Sequence, residues 1–256
     1  MPADPPLPPP LVTAEHLAHR YGRRPRGLLD AHFAAAGRAP GVLGPPGAGK
    51  STLLSLLTAA RLPSGGTLRV GGLDPSDRDQ RRQLQGPIGY VPESMSVYPA
   101  HSVGQFLRYV GWLRGVPPAL LPAAISDSLL VTDLTDLRDR PVRTLSAGMR
   151  KRVLLAQALV NRPSVVVLDS PAVVLDPEQR AQFLARVIAL RGRCAVVLAT
   201  PLVETVAAPC DEVVVLAGGR TVFGGTTAEL AGGEPGGDAL AAGHRRALAA
   251  AWGAAG

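Results

Sequence analysis

Apolar residues follow two rhythms along this chain, and the alternation between them predicts strands and helices in turn. Short unbroken runs at 41–43, 165–168, 194–199 and 213–216 have the length and branched side chains of strands buried on both faces. Between them, leucines at 53, 54, 56 and 57 keep one side of a helix apolar, and a second helical stretch spans 177–190. Weak alternation over 12–17, which ends near Tyr21, and the segment SGGTLRVGG read as further strands, and PIGYVPES reads as another. The polar stretch 74–85 reads as a surface helix. In the middle third, Ser102 followed by Gln105 is a capping-box pattern. It opens a helix whose apolar stripe is Val103, Phe106, Leu107 and Val110 and which Gly115 and Pro117 end. Residues of about 94–155 therefore form a mainly helical insert in an otherwise α/β chain with a largely parallel sheet. Beyond 225 the chain is rich in alanine and glycine; the segment ALAAGHRRALAAAWG reads as a marginal helix, and glycines at 232, 233, 236, 237 and 243 weaken the reading of a packed element in 226–256. No internal repeat is visible, so one site-bearing unit is expected.

Composition narrows the picture. A chain of 256 residues that is 46 % hydrophobic can support one substantial core. The 27 Lys and Arg against 20 Asp and Glu leave a formal charge of +7, which suits nucleic acid or an anionic membrane surface without choosing between them. The arginines fall in small groups (Arg20, Arg23, Arg24, Arg26; Arg78, Arg81, Arg82; Arg150, Arg152) with few aromatics between them to stack bases, so they read as solvated faces. Cys194 and Cys210 have no metal-ligand spacing and point to a reducing compartment. The first ten residues, MPADPPLPPP, lack the basic and apolar halves of a secretory signal and read as a stiff, extended lead-in. No apolar run reaches bilayer length, so any membrane role is expected to come through a partner.

The chemistry concentrates at two places. Gly44, four residues, then Gly49, Lys50 and Ser51 match the phosphate-loop pattern, lying between a strand and a helix as that pattern needs. Glycines 44, 47 and 49 let backbone N–H groups turn inward around phosphate oxygens, with Pro45, Pro46, Ala48 and Thr52 completing the cradle. Lys50 is placed to reach the outer phosphates and the Ser51 hydroxyl to ligate magnesium. A plain glycine turn linking strand to helix is the bland alternative. At the second place, four apolar residues run into Asp169, which delivers a carboxylate to the end of a buried strand, where it can hold magnesium. The alternative there is an aspartate capping a turn before Pro171.

Between these motifs lies TLSAGMRKRVLLAQALVNRP, and with Leu145-Ser146-Ala147-Gly148-Met149 the chain resembles the nucleotide-binding domain of ATP-binding cassette (ABC) transporters over about 11–225. The resemblance implies a P-loop NTPase (RecA-like) core, an ABC-type antiparallel β subdomain and a helical signature subdomain. It implies ATP and magnesium as ligands, with Tyr21 stacking on adenine. Ser146 and Gly148 stand where the family contacts the γ-phosphate held by the opposite subunit. Ser146 is equally an ordinary helix cap, with Met149, Val153, Ala156 and Val160 as the buried face behind it. Asp176 matches the aspartate of the loop that crosses between paired subunits, and an N-cap before Pro177 is the local alternative.

Four positions depart from the family pattern. Ser170 stands where a glutamate polarises the attacking water, and a neutral hydroxyl has neither the charge nor the basicity for that task. Pro201 stands where a histidine contacts the γ-phosphate, and proline has no polar side chain and no N–H. Glu93 occupies the position of a glutamine that contacts magnesium and water. It reads as a magnesium or water ligand, a packed or solvated carboxylate, or a substitute base. Ala147, for a usual glycine, adds only a methyl group. Binding with slow turnover is therefore expected, in an ATP-binding subunit coupled to a separate transmembrane permease and peripheral to the cytoplasmic face of the membrane. The segment 98–118 resembles the variable helical region that receives the permease, in the wording of ABC-2-type exporter subunits. A second cassette is expected as partner, in a homodimer or in a heterodimer with a catalytically intact chain. Nucleic acid is not, because neither tandem cassettes nor a coiled-coil insertion is present. A regulatory ATP-binding module controlled by dimer closure is the alternative.

Overall fold

The computed structural model describes residues 12–22, 27–35, 39–86, 88–94, 100–191 and 193–253. The proline-rich lead-in, Arg23, Arg24, Arg26 and Tyr98 lie outside them. Nine strands form one sheet: β1 (Val12–Arg20), β2 (Gly27–Ala35), β3 (Pro40–Leu43), β4 (Gly65–Val70), β5 (Ile88–Val91), β6 (Val165–Asp169), β7 (Ala195–Thr200), β8 (Glu212–Ala217) and β9 (Arg220–Thr226). Their spatial order is β4-β1-β2-β9-β8-β3-β7-β6-β5. From β8 to β5 every pairing is parallel, while β1 pairs antiparallel with β2 and β4, and β8 antiparallel with β9. The parallel half is the expected α/β core. The other half, in which β2 meets β9 in a short parallel pairing and the rest pair antiparallel, contains β2 and β9, which the apolar pattern does not announce.

The helices are α1 (Lys50–Leu57), α2 (Arg78–Gln85), α3 (Val103–Leu113), α4 (Leu121–Thr132), α5 (Ala147–Leu159), α6 (Pro177–Ile188), α7 (Thr227–Ala231) and α8 (Gly237–Gly253). Successive strand residues face opposite ways, so β6 splits its valines between two cores. Val165 and Val167 pack with Leu53, Leu54, Leu56 and Leu57 of α1. Val166 and Leu168 pack with Phe183, Leu184 and Val187 of α6. A third cluster joins α3, α4 and α5 through Phe106, Leu107, Leu129, Val153 and Val160. The capping box is formed as the sequence predicts, with Gln105 N–H donating to Ser102 Oγ at 3.2 Å and Ser102 N–H to Gln105 Oε1 at 2.9 Å.

Two features go beyond the sequence reading. First, β5 is an edge strand with β6 as its one sheet neighbour. Side chains at the end of α3 and on or just past α5 meet the carbonyls of alternate residues along and just before its open side. Asn161 Nδ2 donates to Gly86 O (2.7 Å), Arg114 Nη1 to Ile88 O (3.4 Å) and Gln157 Nε2 to Tyr90 O (2.6 Å). Second, the glycine-rich tail is packed: the marginal helix read in it is formed as α8 and lies against the core. Leu240 and Leu248 of α8 enter the core that holds Val203 and Val213. Glycine makes this possible, because a Cβ at Gly243 would overlap the Leu230 carbonyl. Gly243→Ala is therefore expected to lower stability by about 1–3 kcal/mol, seen as a reduced thermal midpoint. Helix propensity alone would raise stability by up to about 1 kcal/mol, so the sign of the shift reads the crossing directly.

Candidate functional site

The sheet presents β3, β6 and β7 side by side, and their carboxyl ends carry the candidate residues. Beyond β3 the chain turns at Gly44 (φ 155°), Gly47 (φ 79°) and Gly49 (φ 105°) before α1 begins at Lys50. Gly44 is required twice over, by its φ and by a close approach in which a Cβ would overlap the Leu216 carbonyl. The first turn of α1 has no acidic residue and Gly49 gives it no side-chain cap. Its free N–H groups therefore suit an anion. Lys50 is buried, and its Nζ donates to Gly44 O at 2.7 Å and Pro45 O at 2.9 Å. Tyr21, Gly47, Gly49, Lys50, Ser51 and Thr52 line one cavity of about 500 Å³. Ser51 is exposed there, whereas Thr52 is buried and its Oγ1 lies 3.3 Å from Tyr21 Oη. Arg61 lies over the Tyr21 ring, 4.8 Å from its centroid, and the ring of His19 meets it edge-on at 4.9 Å. Tyr21 is thus a partly exposed aromatic ring in the wall of this cavity, with Arg61 over one face.

Asp169 ends β6 as a buried carboxylate. Its side-chain partners are long hydroxyl contacts, Tyr90 Oη to Oδ2 at 3.5 Å and Ser170 Oγ to Oδ1 at 3.3 Å. Burial, then the Asp169 carboxylate, push the Tyr90 hydroxyl up to about 12, so it stays a proton donor to that oxygen. Burial pushes the Lys50 ammonium below the ordinary lysine value, and the Asp169 and then the Glu93 carboxylate act against that shift. The two motifs thus share one electrostatic field. Ser170, buried, has φ 45° and donates its N–H to Ala199 O at 2.8 Å. A non-glycine residue held there costs on the order of 1–3 kcal/mol and marks a constrained backbone at the site. Pro201 follows β7, where Leu202 N–H turns back to Thr200 Oγ1 at 3.1 Å.

Magnesium fits this donor set. It is held in nucleotide sites by one or two carboxylates, hydroxyls and the phosphates themselves, not by an all-protein cage. Asp169 and Ser51 are of that type, and among the described residues no group of three or more His, Cys, Asp or Glu stands ready for a metal ion.

Ser146, Gly148 and Asp176 line a different cavity, of about 260 Å³, with Met149, Arg152 and Gln179. Ser146 caps α5, accepting from Met149 N–H at 3.2 Å, and Asp176 caps α6, accepting from Gln179 N–H at 2.8 Å. The local capping roles are thus formed within one chain. Gln179 lies against Gly148, where an added Cβ would meet its side chain at 3.2 Å.

A family model described as ABC transporter matches residues 33–173. This chain belongs to the ABC transporter family. Among relatives, this ABC protein is 33 % identical over 225 residues to the Nod factor export ATP-binding protein I of Ralstonia nicotianae, a match covering 86 % of this chain and 68 % of the relative. It is 33 % identical over 236 residues to the energy-coupling factor transporter ATP-binding protein EcfA1 of Symbiobacterium thermophilum, covering 86 % of this chain and 81 % of that one. It spans 59 % of the length of another Nod factor export ATP-binding protein I, from Cupriavidus pinatubonensis. The structure of cbiO1 from Clostridium perfringens, part of the ABC transporter complex cbiONQ, superposes with a TM-score of 0.78 at 26 % identity, over 87 % of this chain and 91 % of that one. The fold is therefore the mixed α/β fold of ABC ATPase subunits, as the signature segment implied. Among the described residues no helix of this ABC protein is long and apolar enough to cross a membrane.

Sequence reasoning missed Tyr90, Arg61 and Lys151. Only Lys151 had a signal, as one of two lysines in the chain.

Proposed function

We propose that this chain is the ATP-binding subunit of an ABC transporter, loading magnesium-ATP at 44–52 and Asp169 and driving a separate membrane permease from its cytoplasmic face. The observation that carries this reading is the cradle itself, a buried lysine and uncapped helix start sharing a cavity with Tyr21, in the field of the Asp169 carboxylate. Ser51 and Asp169 would hold magnesium, with Glu93 in the same field, and the ion would supply positive charge against that of the phosphates. Lys50 would exchange the Gly44 and Pro45 carbonyls for phosphate oxygens, while Tyr21 holds the base. Ser170 and Pro201 leave the attacking water without the family's base and histidine, so turnover by this chain alone is slow. Ser146, Gly148 and Asp176 are proposed to act in trans, on nucleotide held by a second cassette, which is itself the catalytically intact partner. The cassette is taken as 11–225, with 226–256 packed on it.

Support for a docked permease comes from α3, where Tyr109, Trp112 and Leu113 are all at least 50 % exposed and the two rings stack at 6.3 Å. Exposed aromatics on a well-anchored helix are interface material.

The test measures magnesium-ATP affinity and single-turnover hydrolysis of the isolated chain, then co-purification with a multi-helix permease when the tagged chain is drawn from membranes of its own cells. Binding with slow turnover, and capture of the permease that Trp112→Ala weakens at least tenfold, are expected. A folded chain without affinity for magnesium-ATP sinks the reading, and capture of a soluble partner in place of a permease points to the regulatory alternative.

A further inference from the structure

The turn that follows α1 holds the ring that walls the phosphate cavity. Arg61 N–H donates to Ser55 O at 3.0 Å, Ser64 N–H to Ala18 O at 2.7 Å and Arg20 N–H to Ser64 Oγ at 3.3 Å. The turn is therefore tied to α1 at one end and to β1 at the other. From it the Arg61 guanidinium lies over Tyr21, 4.8 Å from the ring centroid. Leu62 O accepts from His19 Nδ1 at 2.8 Å, which sets the His19 ring edge-on to the tyrosine at 4.9 Å. The far end of the ring is fixed by the 3.3 Å contact of Tyr21 Oη with Thr52 Oγ1, in the first turn of α1. Tyr21 lines the cavity with Gly47, Lys50, Ser51 and Thr52, whereas Arg61 and His19 do not. The guanidinium thus sits outside the cavity that the ring borders. A cation over one face of a ring is attracted to its π-electrons, and a ring held this way has given up its rotational freedom before any ligand arrives.

Resting on the nucleotide-site reading above, we propose that Arg61 is a positioning residue for the nucleobase. It backs the Tyr21 ring, so that the opposite face is presented, already oriented, to the base of a nucleotide whose phosphates lie at 44–52. An exposed arginine near the site would also attract ATP simply by its charge. The two roles part over the base. Attraction by charge acts on any polyphosphate, whereas a backed ring matters only to a ligand that carries a base.

The experiment measures, by titration calorimetry on the full chain, the ratio of the affinities for magnesium-ATP and for magnesium tripolyphosphate, which has the phosphates without the base. Wild type is expected to prefer ATP. Arg61→Ala is expected to lower that preference by about two- to fivefold, the range a cation–π contact at an exposed site allows. In a Tyr21→Ala background, where the preference is already reduced, Arg61→Ala is expected to lower it no further. An Arg61→Ala chain that loses affinity for both ligands equally, or for neither, overturns the proposal, as does a loss of preference that persists without the tyrosine. Thermal unfolding reports whether each variant folds, and Arg61→Met, which keeps the stem without the charge, replaces Ala if that variant does not. A wild-type chain that binds neither ligand removes the nucleotide-site reading and this proposal together. One that binds both without preference removes this proposal and leaves the phosphate cradle standing.

Discussion

Returning both missing side chains at once, Ser170→Glu with Pro201→His, is expected to accelerate single-turnover ATP hydrolysis by roughly 10²–10⁴-fold, the usual range for general acid–base help. The two are changed together because groups that act on one water are not additive, so either alone can return much less. The structure also predicts the side effect. Ser170 is buried, and its hydroxyl donates to Asp169 Oδ1 at 3.3 Å. A glutamate there loses that donor and places a second carboxylate beside the first in a desolvated setting, which the nucleotide-free protein must accommodate without a metal ion. The double variant is therefore expected to be less stable than wild type without ligand and to recover on adding magnesium-ATP, as binding to the native state alone shifts the midpoint upward. Rapid-quench measurement of bound ATP checks the rate and thermal unfolding checks the recovery. Unchanged turnover with normal binding would mean that these two positions do not limit the reaction.

Lys50→Ala is expected to weaken magnesium-ATP binding by roughly 30-fold to several-thousand-fold, the equivalent of about 2–5 kcal/mol for truncating one member of a buried charge pair. Two effects contribute. The cation for the outer phosphates is lost, and Gly44 O and Pro45 O lose the donor that satisfies them now at 2.7 and 2.9 Å. Each carbonyl left without a partner costs about 1–3 kcal/mol if water cannot reach it. The loop is therefore expected to lose order in the free protein as well. Calorimetric titration checks the affinity, and a loss of less than threefold would remove Lys50 from the phosphate site.

Much of the site was legible because its chemistry is local in sequence. The phosphate loop needs eight consecutive residues, and Ser102, Ser146 and Asp176 announce their caps within three or four. The parallel core was legible for a related reason, since a strand buried on both faces must be apolar without interruption, as β6 and β7 are. What escaped is made by partners distant in the chain. The sequence of β2, GLLDAHFAA, barely alternates, and the strand exists because β1 pairs with it through two irregularities in register. β9 carries Gly224 and Gly225, which weaken any strand reading, yet both pair with β8. α8 reads as marginal from its glycines, although Gly243 is what lets the helix approach α7. Lys151 looks like one more basic surface residue until the fold sets it beside Glu93, 58 positions away.

The donors that cover the margin of the sheet come from the helices of the middle third and their ends: Arg114 closing α3, Gln157 in α5 and Asn161 just past it. Trimming the chain to a minimal core by excising the helices would thus do more than delete a docking surface. It would bare carbonyls along an apolar edge strand, the kind of template on which a second molecule adds its own strand. Such a truncated protein would self-associate through β5, so these helices guard the sheet edge against aggregation as well as carrying the signature segment.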